Sequence, residues 1–195
     1  MKMKKLDDFI LKVNCIPEDF CRDSVEKFDL FPWRRGSWFS YNLEETSEED
    51  FLVDTSTREG SKYDSTFGNT EFQENLKPFL SNAIEQYSKQ IEGFTDSVQM
   101  CSFGKINRYR IGQEIEEHRD HIHALFDGVL KGVPILSLVG VLNDDFSGGE
   151  FIFWDDYKIE LNCGDVVMFP SNFMYPHKVT PVLTGTRYSV VSWAW

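Results

Sequence analysis

From about residue 98 to the C-terminus the chain alternates short apolar runs with clusters of turn-forming residues. The runs are 133–143, 150–154, 158–161, 165–170 and 187–193, and between them stand 144–149, 155–156, 162–164, 171–172 and Gly185. Segments this short, rich in Val, Ile, Phe and Trp and bounded by Asn, Asp, Gly and Ser, predict strands rather than helices. Several such strands roughly ten residues apart can bury their apolar faces only by folding onto one another, which predicts a sandwich or jelly roll.

The first hundred residues have a different texture. Residues 17–28 carry Phe20, Ser24 and Val25, and Phe28 at helical spacing, with acidic residues in the opening turn, and predict a short amphipathic helix. Residues 31–41 are aromatic and read as strand or loop, and 44–69 are polar, as expected of an exposed loop. Asn69 and Thr70 then cap a second helix in which Phe72, Leu76, Phe79 and Leu80, Ala83 and Ile84, and Tyr87 recur up to Ile91, with Pro78 as the one discordant residue. The expected organisation is a helical and loop support region over 1–97 packed on a β core over 98–195, together one structural domain. The fold class that follows is mainly β with supporting helices (α+β).

Length and charge narrow the function. A chain of 195 residues is long enough to build one core without staples. Its formal net charge of -12 argues against phosphate-backbone binding as the main activity, because that affinity rests on Lys and Arg. Cys15, Cys21, Cys101 and Cys163 form no C-x-x-C pair, so neither a zinc finger nor a disulfide framework is expected, and reduced thiols are. Asp7, Asp8 and Lys12 interrupt what would be the apolar core of a signal peptide, and the run 133–142 is far short of the roughly 18 residues a membrane span needs. A cytoplasmic protein with no membrane partner is expected.

All four histidines come late: His118, His121, His123 and His177. In an extended segment His118 and Asp120 point one way while His121 and His123 point the other. Two ligand sets are therefore open. His118, Asp120 and His177 would form a two-His, one-carboxylate site with free coordination positions, suited to non-haem Fe(II) oxygen chemistry. His121, His123 and His177 would form a three-His, cupin-type site. Ten residues after His177 comes Arg187, the side chain that grips a carboxylate with two parallel hydrogen bonds and keeps its charge.

These residues carry a resemblance. Tyr109-Arg-Ile-Gly-Gln-Glu-Ile-Glu-Glu-His118-Arg-Asp120, Leu142-Asn-Asp-Asp-Phe-Ser-Gly-Gly-Glu150, Gly164-Asp-Val-Val-Met-Phe-Pro170 and the segment from His177 to Arg187-Tyr-Ser189 resemble, in order and spacing, the 2-oxoglutarate and Fe(II)-dependent dioxygenases, specifically their prolyl 4-hydroxylase-like branch. The resemblance implies a double-stranded β-helix, a cupin-like jelly roll. It implies that His118, Asp120 and His177 bind iron, that Arg187 binds the distal carboxylate of 2-oxoglutarate, and that Tyr109 and Ser189 contact the same co-substrate. It further implies O2 as oxidant, ascorbate as candidate reductant, and hydroxylation of a peptide, protein or small molecule with release of succinate and CO2. Collagen-type members usually carry Lys where this chain has Arg187.

Other features have plainer readings. Gly148 and Gly149 predict a tight turn needing positive φ. Trp193 and Trp195 are expected to pack on the last strand, and His121 and His123 to be structural or substrate-lining. Trp33, Trp38, Phe39 and Tyr41 are expected either in the core or along a substrate groove.

Overall fold

The computed structural model describes residues 4–35, 39–40, 56–57, 63–94, 97–120 and 132–195. The elements in chain order are β1 (Leu11–Asn14), α1 (Glu18–Lys27), β2 (Arg34–Arg35), β3 (Phe39–Ser40), β4 (Ser56–Thr57), β5 (Asp64–Thr66) and α2 (Thr70–Gln90). There follow β6 (Lys105–Tyr109), β7 (Ile115–His118), β8 (Leu136–Val141), β9 (Ser147–Gly148), β10 (Phe151–Phe153), β11 (Tyr157–Ile159), β12 (Asp165–Pro170), β13 (His177–Val179), β14 (Val182–Thr184) and β15 (Arg187–Ala194).

Among the described residues a seven-stranded sheet runs β1-β12-β8-β15-β6-β5-β2 and faces a four-stranded sheet, β11-β10-β13-β7. Strand alternation divides the large sheet into two working faces. One face supplies Ile106, Leu136, Leu138, Val166, Met168 and Val190 to a core shared with Phe72, Leu76, Leu80, Ala83 and Tyr87 of α2. The other supplies Tyr109, Val139, Val167 and Phe169 to a core shared with Ile115, Phe151, Phe153 and Val179 of the small sheet. The result is a jelly-roll sandwich backed by helices, in agreement with the strand spacing. β8, with all six residues buried, fits a strand covered on both faces.

α2 begins where the cap predicts, the Asn69 side chain accepting a hydrogen bond from the Phe72 amide at 2.9 Å, and it runs through Pro78. In α1 the deepest stripe is Cys21, Ser24 and then Phe28 in the following turn, so Phe20 and Val25 flank the buried seam and are only partly buried.

Several elements depart from the sequence reading: β4 and β5 lie in the stretch expected as a loop, and β1, β6, β7, β9, β13 and β14 were not among the five foreseen strands. β1 was not foreseen in its polar, acidic surroundings; its partner β12 pulls it into the sheet, and Asn14 ties it down through bonds to the Cys163 carbonyl and Asp165 Oδ1. The polar stretch 44–69, expected as a loop, contains β5, which pairs with β6. Its polarity is the polarity of an ion pair: Arg108 Nη2 lies 2.9 Å and Arg110 Nη1 3.2 Å from an Asp64 carboxylate oxygen. Tertiary pairing outweighs local composition at both positions. Trp33 belongs to the helix-side core, its indole N–H donating to the Phe28 carbonyl at 2.8 Å and its ring 4.1 Å from the Arg108 guanidinium. Trp38, Tyr41 and the side chain of Phe39 lie outside the described residues, as do His121 and His123. No helix among the described residues is long and apolar enough to cross a membrane.

Candidate active site

β7 and β13 pair so that His118 and His177 stand directly opposite each other, with ring centroids 4.3 Å apart. The chain continues two residues beyond His118 to Asp120. The structure thus brings His118, Asp120 and His177 together, with one ligand-type atom from each within 4.8 Å of the others. Asp120 Oδ1 lies 3.9 Å from His118 Nε2 and 4.0 Å from His177 Nε2, and the three side chains are 9%, 11% and 4% exposed respectively.

Each imidazole is held by its far side. His118 Nδ1 lies 2.9 Å from the Glu116 carbonyl and His177 Nδ1 3.1 Å from the Tyr175 carbonyl. A carbonyl only accepts, so Nδ1 carries the proton and each Nε2 presents a lone pair toward Asp120. Asp120 is held in the same way: Ser137 Oγ donates to Oδ2 at 2.6 Å, and Trp193 adds a side-chain hydrogen bond. Two oriented imidazole nitrogens and a carboxylate whose Oδ1 is not the oxygen bonded to Ser137 are the donor set that suits Fe(II) with open positions. Replacing Ser137 by Ala should weaken metal binding about 10- to 100-fold, the range seen when an orienting partner of a ligand is lost, with little change in melting temperature. Unaltered metal affinity in a titration of Ser137→Ala would remove that role.

The surroundings are apolar. Phe151, Phe153 and Phe169 ring His177 at centroid distances of 5.3, 5.8 and 4.8 Å. Desolvation, and then the neighbouring His177, push the His118 pKa down to about 4 against the pull of Asp120. Burial alone would raise Asp120, but His177 and His118, with the Ser137 and Trp193 hydrogen bonds, hold it below the ordinary carboxylate value. His118 therefore rests as a neutral imidazole beside a carboxylate, the state a metal ligand requires. Because His118 binds its proton more weakly folded than unfolded, the metal-free protein should lose stability as pH falls from about 6.5 through about 4, the unfolded chain taking up the proton first. Thermal melts of chelator-treated protein across this range check it; a His118→Gln variant should show a shallower loss.

Beyond the triad the same inner face of the large sheet makes a polar floor. β15 and β6 place Arg187 opposite Tyr109 and Ser189 opposite Asn107, so the four side chains share one patch. All are buried, Arg187 at 1% exposure, and among the described residues Arg187 Nη1 and Asn107 Oδ1 have no hydrogen-bond partner. Buried polar atoms left this way cost free energy unless a ligand completes them. The Arg187 guanidinium lies 5.3 Å from the Tyr109 ring centroid and 5.9 Å from that of Phe146. Burial raises the Tyr109 pKa, opposed by Arg187, so the phenol stays protonated and able to donate. Gly149 has φ +60°, and a Cβ there would stand 2.8 Å from Arg187 Cδ; the expected turn thus also leaves room for the arginine stem. Asn143 braces it from the other side, donating to the Thr186 carbonyl and accepting from the Tyr188 amide.

Sequence reasoning missed Ser137, Asn107 and the orienting part played by Trp193, which was expected only to pack. A signal existed for two of them: Ser137 and Asn107 are polar residues at inward positions of otherwise buried strands, which local periodicity alone does not weigh.

Residues 104–195 match the family model of the 2OG-Fe(II) oxygenase superfamily. A PKHD-type hydroxylase of Idiomarina loihiensis is 33% identical over 91 residues, covering 45% of this chain and 39% of the relative. One from Shewanella baltica is 33% identical over 91 residues, covering 45% and 40%. The match thus spans about two-fifths of the length of these curated relatives. Among solved structures, a prolyl hydroxylase of Trichoplax adhaerens in complex with a hypoxia inducible factor peptide fragment superposes with TM-score 0.66 at 14% identity, covering 96% of this chain and 84% of that one. A Pseudomonas putida prolyl-4-hydroxylase gives 0.64 at 17% identity, covering 97% and 96%. The viral collagen prolyl hydroxylase of Paramecium Bursaria Chlorella virus-1, in its 2OG complex, gives 0.60 at 15% identity, covering 95% and 94%. At these identities the structural likeness is one of fold.

Proposed function

We propose that this chain, whose residues 104–195 match the 2OG-Fe(II) oxygenase superfamily model and which is prolyl 4-hydroxylase-like in fold, hydroxylates an unactivated C–H bond, that of a prolyl residue in a peptide or protein, with release of succinate and CO2. The observation that carries the reading is the pairing, in one space between the two sheets, of the oriented His118, Asp120 and His177 set with a buried arginine that lacks a partner for Nη1. Bound iron, with 2-oxoglutarate and O2, supplies the oxidative decarboxylation that drives C–H hydroxylation, with ascorbate as reductant.

The protein's own contribution is positional. His118, His177 and Asp120 would hold the metal, while Ser137 and Trp193 orient the Asp120 carboxylate. Arg187 takes the distal carboxylate of 2-oxoglutarate, and Tyr109 and Ser189 complete its hydrogen bonds. Phe151, Phe153 and Phe169 keep bulk water from the metal side. The prolyl preference rests on the names of the structural relatives.

Succinate formation with Fe(II), 2-oxoglutarate and air, measured alone and with proline-containing peptides or free amino acids, tests the reading. Peptide-stimulated succinate together with a peptide gaining the mass of one oxygen atom is expected. No 2-oxoglutarate-dependent succinate at all would remove the oxygenase reading; stimulation by free amino acids alone would remove the prolyl-peptide one.

A further inference from the structure

One charged side chain facing this space has no part in the scheme above. Lys105 opens β6 and pairs with Val191, which puts it on the same inward face as Asn107 and Tyr109. It is partly buried, its Nζ 3.4 Å from the Tyr63 hydroxyl and 5.5 Å from the Tyr63 ring centroid. Tyr63, 2% exposed, stacks in turn on Tyr109 with centroids 5.4 Å apart. Among the described residues no carboxylate lies within ion-pair distance of the Lys105 ammonium, whose one hydrogen-bond partner is a neutral phenol. Tyr63 belongs to the same core as Phe151, Phe153 and Phe169, the rings around His177, which sets the pair toward the metal side of the floor, where the Asp120 charge also acts on both.

Charge arithmetic gives this lysine a purpose. Asp120 supplies one negative charge against the positive Lys105 and Arg187; ferrous iron adds two positive charges and 2-oxoglutarate removes two. The loaded site is left with one positive charge in apolar surroundings, an arrangement that favours one further anion. Arg187 is matched by the distal carboxylate and the metal by the remaining ligands, so the surplus sits at Lys105.

We propose that Lys105 and Tyr63 form a recognition point for a carboxylate of the prime substrate, so that the substrate is an acid: a prolyl unit bearing its own free carboxylate or flanked by an acidic residue. This rests on the oxygenase reading above. The ammonium supplies the charge, and the Tyr63 hydroxyl, accepting from Lys105, donates its own proton to the incoming carboxylate.

Matched acid and amide probes test it: L-proline against L-prolinamide, and proline peptides with a neighbouring Glu or Gln and a free or amidated C-terminus. Calorimetric titration into the anaerobic protein with Fe(II) and 2-oxoglutarate reads binding, and succinate formation relative to the same protein without probe reads coupling. The acid of at least one pair should bind tenfold or more tightly than its amide in the wild type and in Lys105→Arg, and the difference should fall below twofold in Lys105→Met. Equal binding of acid and amide in every pair overturns the proposal, as does discrimination that survives Lys105→Met, or a Lys105→Met effect confined to the KM for 2-oxoglutarate. Unstimulated succinate formation by the wild type reports separately on the oxygenase reading.

Discussion

Asp120→Ala yields a folded protein that retains no stoichiometric iron and forms no 2-oxoglutarate-dependent succinate. The carboxylate is the one anionic donor of the set, and both imidazoles point their free Nε2 atoms at it. Losing an orienting partner of a ligand costs about 10- to 100-fold in metal affinity, so losing the anionic ligand should cost more than about a hundredfold. In the metal-free protein the neighbouring histidines and the Ser137 and Trp193 hydrogen bonds more than offset the cost of burying the Asp120 charge, holding its pKa below the ordinary carboxylate value. Removing it therefore forfeits that contribution near neutral pH. A melting temperature modestly below that of the metal-free wild type, with metal content near zero, is the expected pair of results. The companion variants His118→Ala and His177→Ala should also lose iron. If all three keep it while His121→Ala does not, the ligand assignment is wrong.

Arg187→Ala raises the KM for 2-oxoglutarate by one to three orders of magnitude while leaving metal content intact. A bidentate, charge-assisted contact made by a buried guanidinium is worth about 2 to 4 kcal/mol, which converts to roughly 30- to 1000-fold. The ligand-free structure shows why the effect falls on binding rather than folding. Arg187 is 1% exposed with Nη1 unsatisfied among the described residues, burial pulls its pKa down, and its guanidinium lies over the rings of Tyr109 and Phe146. Removing it deletes an unmet desolvation cost along with some packing. Arg187→Lys keeps the charge and loses the fork, so its KM should lie between those of the wild type and Arg187→Ala. Steady-state kinetics at saturating Fe(II) reads this; an unchanged KM takes Arg187 out of the site.

How much of this could be read from the residues differs by level. Part of the β half was legible because turn-formers punctuate apolar runs: the foreseen 133–143, 150–154 and 165–170 contain β8, β10 and β12, β11 begins one residue before 158 and β15 runs one residue past 193, while β6, β7, β9, β13 and β14 were not among the five. α2 was legible from its cap and spacing. The edge strand β1 and the strand β5 beside the short β2 were not, since a strand that owes its existence to a partner's register leaves little trace in its own composition. At the site, extended-chain alternation put His118 and Asp120 on one side, yet it could not choose between the two ligand sets; that needed the pairing of β7 with β13, which sets His177 against His118. The floor around Arg187 and the clamp on Asp120 depend on neighbours dozens of residues apart, such as Ser189 with Asn107 and Ser137 with Asp120. Long-range pairs of that kind have no local signature.

The central claim is that one metal, held by His118, Asp120 and His177, shares 2-oxoglutarate with Arg187. Anaerobic titration of Fe(II) and then 2-oxoglutarate into the metal-free protein, followed by visible absorption, tests it most directly. The account predicts a weak charge-transfer band that saturates near one equivalent of iron, is absent in Asp120→Ala, and needs at least about tenfold more 2-oxoglutarate in Arg187→Ala. No band in the wild type at saturation, or an unchanged band in Asp120→Ala, would contradict it.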